Sequence, residues 1–265
     1  MEFQAKTKYS INDLLQIMRI LRAPNGCPWD KEQTHESIRK NFIEETYEAL
    51  EAIDNRDAGL LKEELGDVLL QVVFHAQIEA EQGAFDFKDV TDGVCKKLIE
   101  RHPHIFGETQ VSTTQEVLRN WEDIKQEKKG VKNQSEALLD VPRTLPSLMR
   151  SEKIQKRAAK AGFDYPAVDG ALCDMKSEAD ELLQAIERGD HTSIEEETGD
   201  LLFSVVNVAR FVKVDAENAL LKACDKFIRR FSKVEEIAKE RGIDMRSAGI
   251  DSLNILWGEV KNKEL

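Results

Sequence analysis

The sequence is poor in the residues that mark all-β, disordered or disulfide-linked proteins. Its 265 residues include only six prolines and 14 glycines, too few for the many turns of an all-β fold or for a disordered chain. The four cysteines form no C-x-x-C pair and no zinc spacing, and we therefore expect reduced thiols in a reducing compartment. They are Cys27, Cys95, Cys173 and Cys224.

Signals for export and for membrane insertion are also missing. The N-terminal residues MEFQAKTKYS lack the apolar core of a signal peptide, and apolar runs such as Val72-Val73-Phe74 are far too short to span a bilayer. The net charge of −12 disfavours a general nucleic-acid binder, which needs a basic face for phosphates. We expect a cytoplasmic protein with no membrane partner and no nucleic-acid partner.

Common nucleotide-binding loops and hydrolase motifs are absent from the sequence. It has no G-x-x-x-x-G-K-[ST] phosphate loop and no G-x-G-x-x-G turn. It also has no G-x-S-x-G and no H-E-x-x-H motif. A phosphate-bearing substrate would therefore have to be held by a metal ion and by basic side chains.

What the sequence does contain is one arrangement of four acidic residues, present twice. The first copy consists of Glu45, Glu48, Glu64 and Asp67, and the second of Glu178, Glu181, Glu197 and Asp200. Within each pair the i, i+3 spacing places both carboxylates on one helical face. The pairs are symmetric about residues 56 and 189, so turns at 55–57 and 188–190 would bring all four carboxylates of a copy together. Such a cluster repels itself without a cation, and oxygen ligands favour Mg²⁺, with Mn²⁺ as an alternative.

Apolar residues at intervals of three or four predict an all-α fold. We expect helices at about 11–22, 36–53, 60–82, 87–101, 114–128, 146–160, 170–187, 194–209, 216–240 and 248–262, with a capping box at Ser193 and Glu196. Other segments repeat with the carboxylates, as in Glu64-Leu-Gly-Asp67 and Glu197-Thr-Gly-Asp200. We therefore predict two tandem helical-hairpin domains at 1–127 and 146–265, joined by a polar linker at 128–145.

Each copy also carries basic and aromatic residues that suit a nucleotide. Lys97 with Arg101, and Lys226 with Arg230, are spaced i, i+4, and such a pair suits a polyphosphate chain. Trp121 and Trp257 each offer a flat surface on which a base can stack. The alternatives are an ordinary surface charge pair and a tryptophan that packs between helices.

Several motifs together resemble the MazG family of tandem-domain nucleoside triphosphate pyrophosphohydrolases. They are Cys27-Pro-Trp-Asp30, Glu44-Glu-Thr-Tyr-Glu48, Glu64-Leu-Gly-Asp67, Arg101-His-Pro-His104-Ile-Phe, Leu145-Pro-Ser-Leu-Met-Arg150, Lys153-Ile-Gln-Lys-Arg157 and Gly162-Phe-Asp164. The acidic signature alone is shared with a wider all-α superfamily that includes dimeric dUTPases. The resemblance implies paired helices that build four-helix bundles by homodimerisation. It also implies Mg²⁺-dependent hydrolysis of NTPs and dNTPs to the monophosphate and pyrophosphate.

The resemblance also assigns roles to residues by position. It implies that the second acidic set (Glu178, Glu181, Glu197, Asp200) is catalytic and holds Mg²⁺, and that the first set (Glu45, Glu48, Glu64, Asp67) holds metal as well. It implies nucleotide contacts from Lys226, Arg229, Arg230, Trp257 and Glu196, and from Lys97, Arg101 and Trp121.

One departure separates the two copies. Glu44 precedes the first acidic pair, whereas Ser177 takes the matching place in the second. A carboxylate that orients the attacking water is therefore missing from the second copy, or is supplied by Asp180 or Glu196. Which copy is more active stays open.

Three other functions remain as alternatives. The first is a narrower pyrophosphatase that acts on dUTP or a damaged nucleotide. The second is a helical interaction protein with a regulatory role, whose acidic clusters are solvated faces. The third, a ferritin-like di-iron bundle, fits less well, because such sites use Glu-x-x-His and the i+3 residues here are Glu or Asp.

Overall fold

Two compact units divide the chain between Lys128 and Lys129. The computed structural model describes residues 3–117, 120, 121, 124 and 134–264, and throughout these residues it contains helices and no strand. The predicted all-α fold with two repeats is confirmed. Among the described helices, none combines the length and the apolar character needed to cross a bilayer.

The first unit is built around a long antiparallel hairpin of two helices. Its helices are α1 (Ile11–Arg22), α2 (Pro28–Glu32), α3 (Arg39–Asp54), α4 (Ala58–Gln82), α5 (Phe87–Arg101) and α6 (Pro103–Phe106). Residues 114–117, 120, 121 and 124 are also helical; the rest of the helix predicted at 114–128 lies outside the described residues. α1 packs against α4, and the apolar core there contains Met18, Ile38, Val73, Phe74 and Ile78.

The second unit repeats the hairpin and adds a pair of helices after it. Its helices are α7 (Gln134–Leu139), α8 (Ser147–Lys160), α9 (Val168–Arg188), α10 (His191–Phe211), α11 (Ala216–Glu240) and α12 (Gly249–Asn262). α8 packs against α10, and α11 packs against α12 around a core of Val234, Ala238, Leu256 and Val260.

Helix α7 forms inside the segment that the sequence assigned to the linker. It packs against α8, where Arg157 donates a hydrogen bond to the backbone carbonyl of Ala137 and pairs with Asp140 at 3.6 Å. Val141 is buried with 1% of its surface exposed. The residues from 134 to 141 are therefore packed as part of the second unit, while residues 128–133 of the predicted linker lie outside the described residues.

The turns of the two hairpins match each other in position and conformation. Arg56 has φ 55° and Gly189 has φ 68°, the left-handed conformation that reverses the chain after α3 and α9. Asp57 caps α4 by accepting from the backbone N–H groups of Gly59 (2.9 Å) and Leu60 (3.0 Å). The turns predicted at 55–57 and 188–190 are confirmed, and they set the register of the carboxylates.

The start of α10 differs from the sequence prediction. The capping box predicted at Ser193 and Glu196 is wrong, because α10 begins at His191 and its N-cap is Asp190. The Asp190 carboxylate accepts from the backbone N–H of Thr192 at 3.1 Å and from the hydroxyl of Ser193 at 2.7 Å. A side chain that comes earlier in the chain thus meets the first N–H groups of the helix.

Small buried residues let the helices of each hairpin approach closely. Ala52 of α3 and both Ala171 and Ala185 of α9 are fully buried, with 0% of their surface exposed. Because alanine adds only a methyl group at the contact, the paired helices can lie at short range. Carboxylates on the facing helices are therefore brought within reach of one another.

Substitution of the α4 cap tests how much the turn contributes to the hairpin. We expect Asp57→Ala to lower the free energy of unfolding by about 1 kcal/mol, since it leaves two backbone N–H groups without their acceptor. Asp54→Ala is the matched control, because a carboxylate at the C-terminus of α3 gains nothing from the helix dipole. Urea unfolding followed by far-ultraviolet circular dichroism measures both. Equal loss in the two variants would contradict the role of the cap.

Candidate metal and substrate site

In the first unit three carboxylates converge between α3 and α4. Oxygen atoms of Glu45, Glu48 and Glu64 all lie within 4.8 Å of one another. Glu64 is buried, with 8% of its surface exposed, whereas Glu48 is exposed. Asp67, the fourth predicted ligand, lies outside this group of three. Its charge nevertheless helps to raise the pKa of Glu45, so it is a close neighbour of the cluster.

The second unit forms an equivalent cluster between α9 and α10. Here oxygen atoms of Glu178, Glu197 and Asp200 lie within 4.8 Å of one another. Glu181, the fourth predicted ligand, is turned to a different partner and accepts a hydrogen bond from the hydroxyl of Ser177 at 3.0 Å. Each hairpin therefore brings together three of its four predicted carboxylates, and the omitted residue differs between the copies.

Burial and mutual repulsion raise the pKa of four carboxyl groups in these clusters. Burial is the largest cause in each, and the charges of neighbouring carboxylates add to it. The four groups are Glu45, Glu64, Glu178 and Glu197. A raised pKa means that the ionised form is disfavoured where it stands, and a bound cation would remove that penalty.

The donors of each cluster fit a hard divalent cation. All of them are carboxylate oxygens on two adjacent helices, the ligand type that Mg²⁺ and Mn²⁺ prefer. Three protein ligands leave room in an octahedral shell for water and for phosphate oxygens. Geometry and ligand chemistry therefore support a metal site that can also receive a phosphorylated substrate.

The basic and aromatic residues predicted for the second copy lie on α11 and α12, outside the hairpin that carries the carboxylates. Within the described helices, α11 packs against α12 and touches α8 and α10 but does not reach α9. On α11, Lys226 is exposed, and Arg230 donates a hydrogen bond to Glu264 at 2.8 Å. Trp257 packs against the core between α11 and α12, with its ring 5.1 Å from that of Phe227. The structure thus brings Arg230 to an acidic partner and Trp257 to a core.

In the first copy the structure does bring two predicted substrate residues together. The guanidinium carbon of Arg101 lies 4.7 Å from the ring centre of Trp121, within the range of a cation–π contact. Lys97, one helical turn earlier on α5, is exposed. Arg101 and Trp121 therefore form a flat, charged surface of the kind that a nucleotide can contact.

A carboxylate next to the acidic pairs acts on the cluster in each copy, but only the first has an ion pair of its own in the described part of the chain. Glu44 pairs with Lys40 at 2.7 Å, one turn away on α3, and its charge also helps to raise the pKa of Glu45, after the larger effects of burial, Asp67 and Glu48. In the second copy Glu196 helps to raise the pKa of Glu197, after the larger effects of burial and Glu181. Asp180, the other candidate to replace the missing carboxylate, is exposed on α9. Of the two, Glu196 is the one whose charge helps to raise the pKa of a carboxyl group of the cluster.

Three residues near the second cluster escaped the sequence analysis. Asp174 lies one turn before Glu178 and is among the charges that raise its pKa. A hydrogen bond to Asp174 is the largest cause that raises the pKa of Tyr165. Arg188 opposes the rise in the pKa of Glu197. The i, i+4 spacing of Asp174 and Glu178 would have revealed the first, but no spacing pointed to Tyr165.

The family model of the MazG nucleotide pyrophosphohydrolase domain matches the chain twice. The matched residues are 33–106 and 171–235, more than half of the chain. Each match contains one hairpin with its acidic cluster. The chain belongs to the MazG family.

MazG relatives extend the similarity to almost the whole chain. The nucleoside triphosphate pyrophosphohydrolase of Escherichia coli K12 is 46% identical over 258 residues, which cover 96% of this chain and 98% of the relative. The nucleoside triphosphate pyrophosphohydrolase/pyrophosphatase MazG of Thermotoga maritima is 45% identical over 94% of each chain. YabN of Bacillus subtilis is 47% identical over 94% of this chain, which matches 51% of that longer protein. The MazG likeness thus includes both units.

Removal of one charge from the second cluster of carboxylates tests whether they repel one another. We expect Glu197→Gln to raise the thermal unfolding midpoint of the protein in EDTA, because one of the converging charges is gone. Glu195→Gln is the matched control on the same helix, since Glu195 is exposed and is not among the residues of the cluster. Differential scanning calorimetry measures both. A midpoint that falls in Glu197→Gln, or rises equally in the control, would contradict the repulsion.

Proposed function

We propose that this MazG protein is a Mg²⁺-dependent nucleoside triphosphate pyrophosphohydrolase that acts on NTPs and dNTPs. It would cleave the bond between the α- and β-phosphates and release the nucleoside monophosphate and pyrophosphate. The observation that carries the proposal is the convergence of three carboxylates in each hairpin, inside each match to the family model. The names of the relatives from Escherichia coli and Thermotoga maritima support the same reaction. A cytoplasmic location would give the enzyme access to these substrates.

The second cluster supplies the groups that this reaction needs. Glu178, Glu197 and Asp200 would hold Mg²⁺, which when bound neutralises phosphate oxygens and lowers the pKa of the attacking water. The water oxygen forms a bond to the α-phosphorus as the bond to the bridging oxygen breaks. Glu196, whose charge acts on Glu197, would accept the water proton in this copy. Glu44 would take the same part in the first copy.

Basic side chains would stabilise the charge that develops on the departing pyrophosphate. Lys226 and Arg230 offer a point charge and a planar fork for its oxygens. Among the described helices of one chain, α11 touches α10, which carries Glu197 and Asp200, but it does not touch α9, which carries Glu178. The α9 side of the cluster is therefore left for a second molecule. We propose that a second copy of the chain completes the site.

Exposed apolar side chains on the second hairpin support assembly into a dimer. On α9 and α10 four of them are 44–54% exposed, namely Leu183, Ile186, Leu202 and Val205. A pair of helices with one such face is completed by another pair, which gives a four-helix bundle. A homodimer would bury this surface and remove it from water.

Product analysis is the direct test of the reaction. We expect ATP and dTTP, incubated with Mg²⁺ and the protein, to yield AMP or dTMP together with pyrophosphate, as separated by anion-exchange chromatography. A panel that includes dUTP distinguishes broad from narrow specificity. Release of the nucleoside diphosphate with free phosphate, or no release with any triphosphate, would contradict the proposal.

Substitution within each cluster shows which copy performs the reaction. We expect Glu197→Ala and Asp200→Ala each to lower kcat by at least about 100-fold, because metal ligands and preorganised charges contribute on that scale. The matched substitutions in the first copy are Glu64→Ala and Asp67→Ala. If the first-copy variants lose turnover and the second-copy variants keep it, the catalytic assignment moves to the first hairpin.

The proposed dimer has its own test. Light scattering coupled to size-exclusion chromatography should give a mass about twice that of the 30.1 kDa chain. We expect Leu202→Lys to shift the protein towards the monomer and to lower turnover with it. Leu139→Lys on α7 is the control, since Leu139 is 78% exposed and lies outside the hairpin. An unmodified protein that runs as a monomer at micromolar concentration would contradict the dimer.

A further inference from the structure

A single carboxylate near the end of the chain gathers three basic side chains of α11. Glu264 accepts a hydrogen bond from Nε of Arg230 at 2.8 Å and another from Nζ of Lys233 at 3.3 Å. Nε of Arg229 lies 3.6 Å from the same carboxylate. The Glu264 side chain is 19% exposed, although the residue as a whole is exposed. With three basic side chains and one carboxylate, this group has a net positive charge.

The atom through which Arg230 binds Glu264 decides what its guanidinium can still do. The hydrogen bond uses Nε, so the two terminal nitrogens of the fork are not the atoms that hold the carboxylate. A planar guanidinium binds phosphate through paired N–H groups. Arg230 is therefore fixed at its base while its outer end can face a phosphate.

A second ion pair, near the end of α11 and on α12, shows the contrasting arrangement. Arg241 donates to Glu259 through both terminal nitrogens, at 2.8 Å and 2.6 Å. That pair is closed, because the outer edge of the guanidinium is occupied by its own carboxylate. Glu259 thus occupies both terminal nitrogens of Arg241. Glu264 instead binds Nε of Arg230, so its contact does not use the two nitrogens that bind phosphate.

We infer that Glu264 is a positioning residue for phosphate binding, which holds Arg230, and with it Arg229 and Lys233, in place for the polyphosphate of the substrate. The inference rests on the proposed function, which assigns Arg230 to the departing pyrophosphate. A long basic side chain loses rotamer freedom when it binds, and holding it beforehand reduces that loss. The hydrogen bond from Arg230 lowers the pKa of Glu264 to about 2, so the carboxylate stays ionised at neutral pH.

A competing role for Glu264 predicts the opposite change in phosphate binding. A carboxylate among three cations can imitate a phosphate and compete with the substrate for them. In that case its removal would strengthen phosphate binding. The Nε contact favours positioning, since a competing carboxylate would be expected at the terminal nitrogens, as in the Arg241–Glu259 pair.

The test compares Glu264→Gln with Glu259→Gln in the full chain. Steady-state kinetics with ATP give kcat and KM, and calorimetric titration with inorganic pyrophosphate and Mg²⁺ gives a Kd that does not depend on turnover. We expect Glu264→Gln to raise KM and the pyrophosphate Kd roughly three- to tenfold, and to lower kcat as well, because Arg230 also faces the charge that develops on the departing pyrophosphate. Glu264→Asp should restore part of the affinity. Glu259→Gln should change the thermal midpoint without changing KM or Kd.

Two results would overturn the inference. A lower KM and Kd in Glu264→Gln would show that the carboxylate competes with phosphate. Equal KM and Kd in the Glu264 and Glu259 variants would show a role in stability alone. Failure of the proposed function is distinguishable, because then no triphosphate is hydrolysed by the unmodified protein, while the pyrophosphate Kd still reports on Glu264.

Discussion

Repulsion between carboxylates held at close range is the constraint on which the rest of this structure depends. In each unit three acidic side chains lie within 4.8 Å of one another, and burial together with their own charges raises the pKa of members of both clusters. Such a cluster persists only if the surrounding fold holds it there. Buried alanines at the helix contacts and capped, left-handed turns provide that restraint. A bound divalent cation would offset the repulsion between these carboxylates.

The duplication kept the geometry of the hairpin and changed its surroundings. Both copies reverse the chain through a left-handed residue, Arg56 in one and Gly189 in the other. Next to the cluster, however, Glu44 pairs with Lys40, while Ser177 donates to Glu181. The carboxylate left out of the group of three is on α4 in the first copy and on α9 in the second. The two acidic clusters therefore have different neighbours, and under the proposed function the two copies would not be equally active.

The hairpins could be predicted because the acidic residues that define them lie close together in the sequence, and because the same pattern occurs twice. Acidic residues at i, i+3 and the symmetric spacing about residues 56 and 189 fix both the helical face and the register, and the structure places the turns there. The bounds of α1 and α5 also follow from periodicity alone. The start of α10 was missed, since a cap depends on which side chain, Asp190 or Ser193, meets the first N–H groups. Short helices such as α7 carry too few residues for a periodic signal.

The surroundings of the site were less predictable, because they depend on contacts between distant parts of the chain. No spacing in the sequence links Tyr165 to the second cluster, and none links Glu264 to Arg230. Trp257 was predicted as a base-stacking residue from its type and position, and the structure shows it packed against a core. Residue type and repeat position identify candidates, whereas tertiary packing decides what each one touches. The role of Trp257 towards a nucleotide stays a prediction.

Calorimetric titration with Mg²⁺ tests the central claim, that each hairpin is a metal site, most directly. The unmodified protein should show saturable binding at two sites. A variant with Gln at Glu45, Glu48 and Glu64 should lose one of them, and a variant with Gln at Glu178 and Glu197 and Asn at Asp200 should lose the other. Absence of saturable binding in the unmodified protein, or binding that survives in both variants, would contradict the account.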